Sequence, residues 1–286
     1  MAGLIATDTG GNLLYNTSNI TYGLVKSGNL SYLTNWRRLM LRGINVDPSA
    51  GSSWQDRGIP GDNQYSFSIT GAISPIVFIV GKGVSTGFQL SGNTKTFLYA
   101  CADANTKYYC FDLMRDDGVG GPGLKTRDVN GNITFNSRQP ALNIVRSIQA
   151  PPPGPLDGYG RPVVTYQGGR NERIQWQSSS GEAIVHSVVD IPLDSDIEYA
   201  VFLPWNRGCG IISTYLSNFS GSDLWGVSEG AYGRTGGISF MFGPPGRQTQ
   251  QSWTQTSQVN ISYNSLPNLR PNALVIKTSG LPFPFN

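Results

Sequence analysis

Charge is scarce in this sequence. Asp, Glu, Lys and Arg make up 14% of its 286 residues, well below the quarter usual in soluble chains. The net charge of +3 is spread out rather than gathered. A nucleic-acid interface needs a concentrated basic face, so nucleic acid is not an expected partner. The densest basic spot, Trp36-Arg37-Arg38 with Arg42, reads as a solvated strand face or a contact to an acidic protein. Histidine occurs once, at His186. Strand alternation puts it on one side with Glu182, Ile184 and Val188, a core-facing side, and no Ser-His-Asp order can be built around it. Cysteine occurs three times, so the thiols cannot all pair. Cys101 and Cys110 flank a short turn and could meet across a hairpin, but free buried thiols of a reducing compartment are the plainer reading, for Cys209 too. Long apolar runs and a basic leader at the start are both missing, so neither membrane insertion nor a secretory signal is expected. Asp194, Asp196 and Glu198 fall on one strand face but lack the Gly-containing loop of a cation site. Catalytic residues, metal and cofactor are therefore all expected to be none.

What the chain has in quantity is turn-forming residues. It carries 36 Gly and 18 Pro among much Ser, Thr and Asn, and no stretch keeps a helical apolar period. This combination predicts an all-β fold. The clearest local signal is Gly123–Ser137, in which Asn130-Gly131 reads as a two-residue type I′ hairpin turn. That turn puts Asp128 opposite Ile133 and Thr126 opposite Phe135. Leu124, Ile133 and Phe135 would then share a buried face, with Lys125, Arg127 and Thr134 on the wet one. Gly3–Thr17 repeats the stretch without a gap at an offset of 120 residues, with 6 of 15 positions identical. Both copies keep an Asp beside the turn, where its carboxylate can accept backbone N–H bonds. A period this long points to duplicated domains, not a solenoid. The expectation is two tandem β-sandwich-like domains, 1–115 and 120–286, each opening with the same hairpin and joined by the Gly-rich segment Arg115–Gly121.

The pattern Gly-Leu-x-x-x-Asp-x-x-Gly-x-x-x-aromatic-Asn-Ser resembles the opening hairpin of minor proteins in the tail tips of long-tailed bacteriophages. There it often follows a strand ending in an aromatic-Phe-Asp pattern; here Tyr108-Tyr109-Cys110-Phe111-Asp112 precedes the second copy. The resemblance covers Thr106–Ser137, with Asn136 and Asn16 where Asp is commoner in the family. It implies a structural virion component of the tail tip or tail-fibre region, assembled in the host bacterial cytoplasm. Implied partners are other tail proteins and further copies of the chain, as a trimer or hexamer, with a host cell-surface glycan or protein as a possible target. The pattern carries over no catalytic residue.

Elsewhere, Pro75–Val80 is a continuous apolar run expected to be a central strand buried on both faces, and Asp196–Pro204 resembles it. Ser217–Gly236, rich in Ser and Gly, reads as a long loop. Aromatics on such loops offer contact area at low entropic cost, so Trp225 and Tyr232, with Phe219, Arg234 and nearby Trp205, are the candidate binding residues. They equally suit a carbohydrate-binding adhesion module without catalytic activity. The C-terminal peptide Leu281-Pro-Phe-Pro-Phe-Asn286 cannot be a helix or a central strand. Phe283 and Phe285 are expected to bury themselves in a groove of the second domain or of a neighbouring subunit, and are the candidate oligomer contacts.

Overall fold

The computed structural model describes residues 5–11, 13–16, 20–37, 39–41, 54–56, 61–116, 123–175, 183–214, 222–246, 249–253 and 261–285. Among them no helix occurs, and the chain is all-β. The first half supplies β1 (Ile5–Thr7), β2 (Leu13–Asn16), β3 (Tyr22–Asn29), β4 (Ser31–Trp36), β5 (Leu39–Leu41), β6 (Trp54–Asp56), β7 (Asp62–Thr70), β8 (Ile76–Val80), β9 (Val84–Ser91), β10 (Thr94–Ala100) and β11 (Lys107–Leu113). The second supplies β12 (Lys125–Arg127), β13 (Ile133–Asn136), β14 (Arg146–Gln149), β15 (Arg170–Gln175), β16 (Ala183–Pro192), β17 (Tyr199–Phe202), β18 (Gly208–Thr214), β19 (Ser222–Arg234), β20 (Gly237–Gly243), β21 (Thr249–Trp253), β22 (Ser262–Asn264) and β23 (Asn272–Lys277).

The strand expected at Pro75–Val80 is the seam of the molecule. β8 pairs along its length with β11 on one side, and on the other meets β17 at Val201 and β19 at Gly233. Val77, Phe78, Ile79 and Val80 are all buried, as a run without polar alternation requires. Through β8, strands of both halves join one 15-stranded sheet. One apolar core, around Tyr166, Phe240 and Val275, belongs to the second half alone. The other two draw on both halves: Phe67, Val77 and Tyr108 pack with Val188, Tyr232 and Met241, and Phe78 and Phe111 pack with Ala200 and Ile276. Sheet and cores therefore run through the boundary expected at 115–120. Of the expected linker Arg115–Gly121, 117–121 lies outside the described residues.

A separate four-stranded sheet, β4-β7-β10-β9, covers part of the large one. β7 alternates buried and exposed side chains. Its Phe67 ring stacks on Tyr108 of β11 at a centroid distance of 3.8 Å, which fixes this layer on the main sheet. The outer face of the layer carries paired hydroxyls, Ser68 with Thr96 and Thr70 with Thr94, each at 2.8 Å.

The two repeated hairpins stand as two-stranded sheets of their own, and they match in register. Ile5, Ala6 and Thr7 face Asn16, Tyr15 and Leu13; Lys125, Thr126 and Arg127 face Asn136, Phe135 and Ile133. Each has an irregularity at the same step of the ladder. The turn itself differs from the type I′ expectation. Gly131 N–H donates to Asp128 O at 3.2 Å and Asp128 N–H to Asn132 O at 2.9 Å, while positive φ falls on Gly131 (84°) and not on Asn130. This is a three-residue loop, a type I turn closed by a glycine bulge. Gly11 (φ 80°) and the Gly11 N–H to Asp8 O bond repeat it. The carboxylates do accept backbone N–H bonds as expected: Asp8 from Gly10, and Asp128 from Asn130 and Asn132, all at 2.8 Å. The extra residue sets Arg127, not Asp128, opposite Ile133, and the facing changes with it. Ile133, Thr134 and Asn136 are buried, whereas Leu124 is 55% exposed.

The second hairpin is docked onto its own chain. Thr21 N–H donates to Thr134 O at 3.0 Å and Met114 N–H to Thr21 O at 2.8 Å. The buried Asn136 amide donates to Arg115 O at 3.2 Å, and its Oδ1 accepts Arg138 N–H at 3.1 Å. An amide can both donate and accept here, and a carboxylate cannot. The preceding aromatic-Phe-Asp strand has an equally structural role: buried Asp112 accepts N–H bonds from Ile73, Ser74 and Leu113 at 2.7–2.9 Å and pins the loop leading into β8.

Candidate functional site

The segment Ser217–Gly236 is not a loop over its described part. Residues 222–234 form β19, a strand of 13 residues, hydrogen-bonded along its length to β18, β20 and β21. Glycines read in the sequence as loop formers serve close approach instead. A Cβ on Gly233 would sit 1.7 Å from Tyr199 O, and one on Gly230 would sit 2.6 Å from Gly83 O. Only glycine lets β19 pass over β17 and the β8–β9 connection.

The candidate binding residues scatter accordingly. Tyr232 is buried in a core shared by the two halves, and burial raises its hydroxyl pKa; it is a packing residue, not an exposed contact. Trp205 is 39% exposed on the turn between β17 and β18. The backbone of Trp225 pairs with Ile211, and Phe219 lies outside the described residues. Arg234 is half-buried and belongs to a polar network crossing four neighbouring strands. From β19 toward the β15 edge of the sheet, Arg234 Nε lies 3.8 Å from Asp190 on β16, and Asp190 also accepts from Ser239 on β20 at 2.6 Å and from Arg170 on β15 at 2.6 Å. Arg170 also binds Glu172 at 2.7 Å, and Glu172 in turn holds Lys82. Partial burial pushes the two carboxyls up, but this is outweighed. Hydrogen bonds from Ser239 and Arg170 and the Arg170 and Arg234 charges bring Asp190 below the usual range, and the Lys82 and Arg170 contacts do the same for Glu172.

Lys82 connects this network to a cleft of about 490 Å³ where the halves meet. First-half residues Asp62, Asn63, Cys101 and Asn105 and second-half residues His186 and Pro244 line it. His186 is buried, as its strand face predicted. Cys101 holds an unusual positive φ of 56° and donates to Pro244 O at 3.3 Å. Gly243 makes room for both side chains: a Cβ there would meet Cys101 Sγ at 2.7 Å and His186 Cδ2 at 3.3 Å. Asp103 is committed to its turn, accepting Asn105 N–H at 2.7 Å and Thr106 N–H at 3.1 Å. The cleft thus sets a few polar side chains, Asn63, Lys82 and Asn105 among them, into a wall whose exposed surface is more apolar than polar. Among the described residues no group of three or more His, Cys, Asp or Glu could hold a metal ion. Cys101, Cys110 and Cys209 are not joined in a disulfide.

One charged cluster escaped the sequence reading. Arg207 and Glu229 are both wholly buried. The guanidinium forks onto the carboxylate, Nε to Oε2 and Nη2 to Oε1, both at 2.8 Å. Tyr166 Oη donates to Oε1 at 2.7 Å, and Arg207 Nη1 to Pro267 O at 3.2 Å. Burial raises the Tyr166 hydroxyl far above its usual range, and the Glu229 charge raises it further. The only hint in the sequence is an ionic residue inside each of two glycine-bearing, otherwise uncharged runs, Arg207-Gly-Cys-Gly and Val227-Ser-Glu-Gly-Ala.

The C-terminal arm lies on its own chain. Phe285 exchanges backbone bonds with Ser27 of β3 at 2.8 and 3.1 Å, and Ser27 Oγ donates to Pro282 O at 2.7 Å. Leu281 and Phe285 pack against the core around Phe78 and Phe111. Phe283 sits 5.8 Å from Tyr109 and remains 38% exposed. The backbone groups that receive the arm come from β3 of the first half, and the apolar core beneath it is shared by the two halves. No protein-family profile, curated protein or solved structure shows significant similarity to this chain.

Proposed function

We propose that this chain is a non-catalytic structural subunit of a bacteriophage tail tip or tail-fibre region, carried in the virion and contributing to tail assembly. The observation that supports this reading is the hairpin pair. The stretch that resembles tail-tip proteins occurs twice, with the same register, the same bulge and the same carboxylate-capped turn, and the second copy ties the halves together through Asn136, Met114 and Thr21. Part of the pattern is general turn chemistry. Asp157–Arg161 forms the same Asp-x-x-Gly turn, with Gly160 at φ 75° and Asp157 accepting Tyr159 and Arg161 N–H at 2.9 Å. The specific part is the aromatic-Phe-Asp strand followed by the Gly-Leu hairpin. In this reading copies associate with one another, as a trimer or hexamer, and with other tail proteins. Deleting the coding sequence from the producing phage should yield particles with defective tail tips under the electron microscope; normal infectious particles would overturn the proposal.

A second reading, a non-catalytic glycan-binding adhesion module, draws on the cleft around Lys82, Asn63, Asn105 and His186, where polar side chains stand on a largely apolar wall. A glycan array probed with the purified chain separates the two. Saturable binding lost in Asn105→Ala supports adhesion, whereas no binding leaves the cleft a structural feature.

A further inference from the structure

The four-stranded sheet ends in β9, an edge only partly guarded among the described residues. Among the described strands β9 pairs with β10 alone. Natural edges are blunted by charge, proline, a bulge or a cover; β9, Val-Ser-Thr-Gly-Phe-Gln-Leu-Ser, has no charge and no proline of its own, though the Lys95 ammonium of β10 lies 5.9 Å from the Phe88 ring. Asn206 Nδ2 occupies Ser85 O at 3.0 Å, and a bulge with Gly87 at φ 96° follows. Beyond it, among the described residues, the edge is open: Phe88 is 55% exposed and Leu90 65%.

The ladder fixes which backbone groups face outward. Gly71 N–H donates to Asn93 O at 2.8 Å, so odd-numbered residues of β10 bond toward β7 and even-numbered ones toward β9. Thr94 and Thr96, opposite Ser91 and Gln89, are therefore the bonded partners on the β9 side. The N–H and C=O groups of Phe88 and Leu90 point away from the sheet. Their side chains share a face, because residues two apart on a strand do.

We infer that β9 is a self-pairing edge whose partner is β9 of a second copy, antiparallel about a two-fold axis at Gln89. In that register Phe88 faces Leu90 of the partner, Leu90 faces Phe88 of the partner, and both pairs exchange their free backbone bonds. The four apolar side chains meet on one face, and Gln89 faces its own copy as a non-bonded pair. A residue pattern that complements itself is what a two-fold contact needs. The Gly87 bulge limits the pairing to Phe88–Leu90, so the buried area is well under the ~1,200 Å² of a stable interface. The contact is weak for two isolated chains and gains strength where copies are held together. It rests on the edge geometry alone and not on the tail reading. A two-fold pair does not build a ring by itself, so it would join chains of different rings or free chains.

The test is cysteine cross-linking of the full chain. Directly opposed residues of a non-bonded antiparallel pair lie within disulfide reach. Under mild oxidation Gln89→Cys should form a covalent dimer at least about tenfold faster than Ser91→Cys, which the proposed register sets opposite Gly87, with the wild-type chain as the background. Adding Leu90→Lys, an exposed substitution that leaves the fold intact by circular dichroism, should slow Gln89→Cys dimerisation about tenfold. Equal rates for the two cysteine variants, or no effect of Leu90→Lys, would overturn the inference. So would cross-linking of Gln89→Cys to a cysteine placed on β4, which would reveal head-to-tail pairing instead.

Discussion

Replacing Glu229 by Gln tests how much the buried ion pair holds together. The carboxylate receives Arg207 Nε, Arg207 Nη2 and Tyr166 Oη, and neither charged side chain touches water. Gln keeps the volume, but it removes the charge and turns one acceptor into a donor facing a guanidinium N–H. Removing one partner of a buried pair costs ~3–5 kcal/mol, because the remaining charge stays buried without compensation. Because Gln retains one acceptor, the expected loss is ~3 kcal/mol, a large part of the stability of a typical domain. Urea unfolding followed by tryptophan fluorescence should show a lower midpoint at unchanged slope. The double variant Arg207→Met with Glu229→Leu should lose at least ~2 kcal/mol less than the two single losses added together, since the orphaned charge is gone. A loss under ~1 kcal/mol for Glu229→Gln, or strict additivity in the cycle, would refute the claim that the pair is a coupled, desolvated unit.

Three further outcomes follow from the structure. Gly131→Val should cost more than ~1 kcal/mol by thermal unfolding: no atom lies within 4 Å of the added Cβ, but a β-branched residue strains at φ 84°; an unchanged Tm would show that the turn relaxes. Gly233→Ala, with its Cβ 1.7 Å from Tyr199 O, should destabilise by ~3 kcal/mol or more, whereas Gly208→Ala, whose nearest contact is 3.7 Å away, should cost under ~1 kcal/mol; equal costs would contradict the close crossing of β19 over β17. Burial pushes the Cys110 and Cys209 thiols up to about 12. A folded-state pKa above the unfolded one gives stability that is complete below the ordinary thiol pKa and lost as pH climbs toward 12. Tm should therefore hold to about pH 8.5 and fall above it, with a shallower fall in Cys110→Ala; an unchanged slope in that variant would contradict the assignment.

The all-β class, the central strand at Ile76–Val80, the core-facing His186 and the hairpin repeat were legible in the sequence because each is a local pattern of period, turn residue or identity. The turn type was not: Asn130-Gly131 suits a two-residue loop, but the Asp128 carboxylate accepts three hydrogen bonds, from Asn130 and Asn132, and stabilises a longer one. β19 was hidden because glycine signals both a flexible loop and a close crossing, and only the partner backbone, Tyr199 O for Gly233, tells them apart. Tyr232 was misread for the same reason. The joining of the halves through β8 was also out of reach, since Val201 and Gly233 lie more than a hundred residues further along the chain. The cleft draws its wall from both halves, so no stretch of sequence contains it.

The structural role in a phage tail is tested most directly by quantitative mass spectrometry of purified, intact particles. The account predicts peptides from both halves of this chain at a fixed ratio to the other tail proteins, in a copy number divisible by three. Particles that are complete and infectious yet contain no such peptides would contradict it.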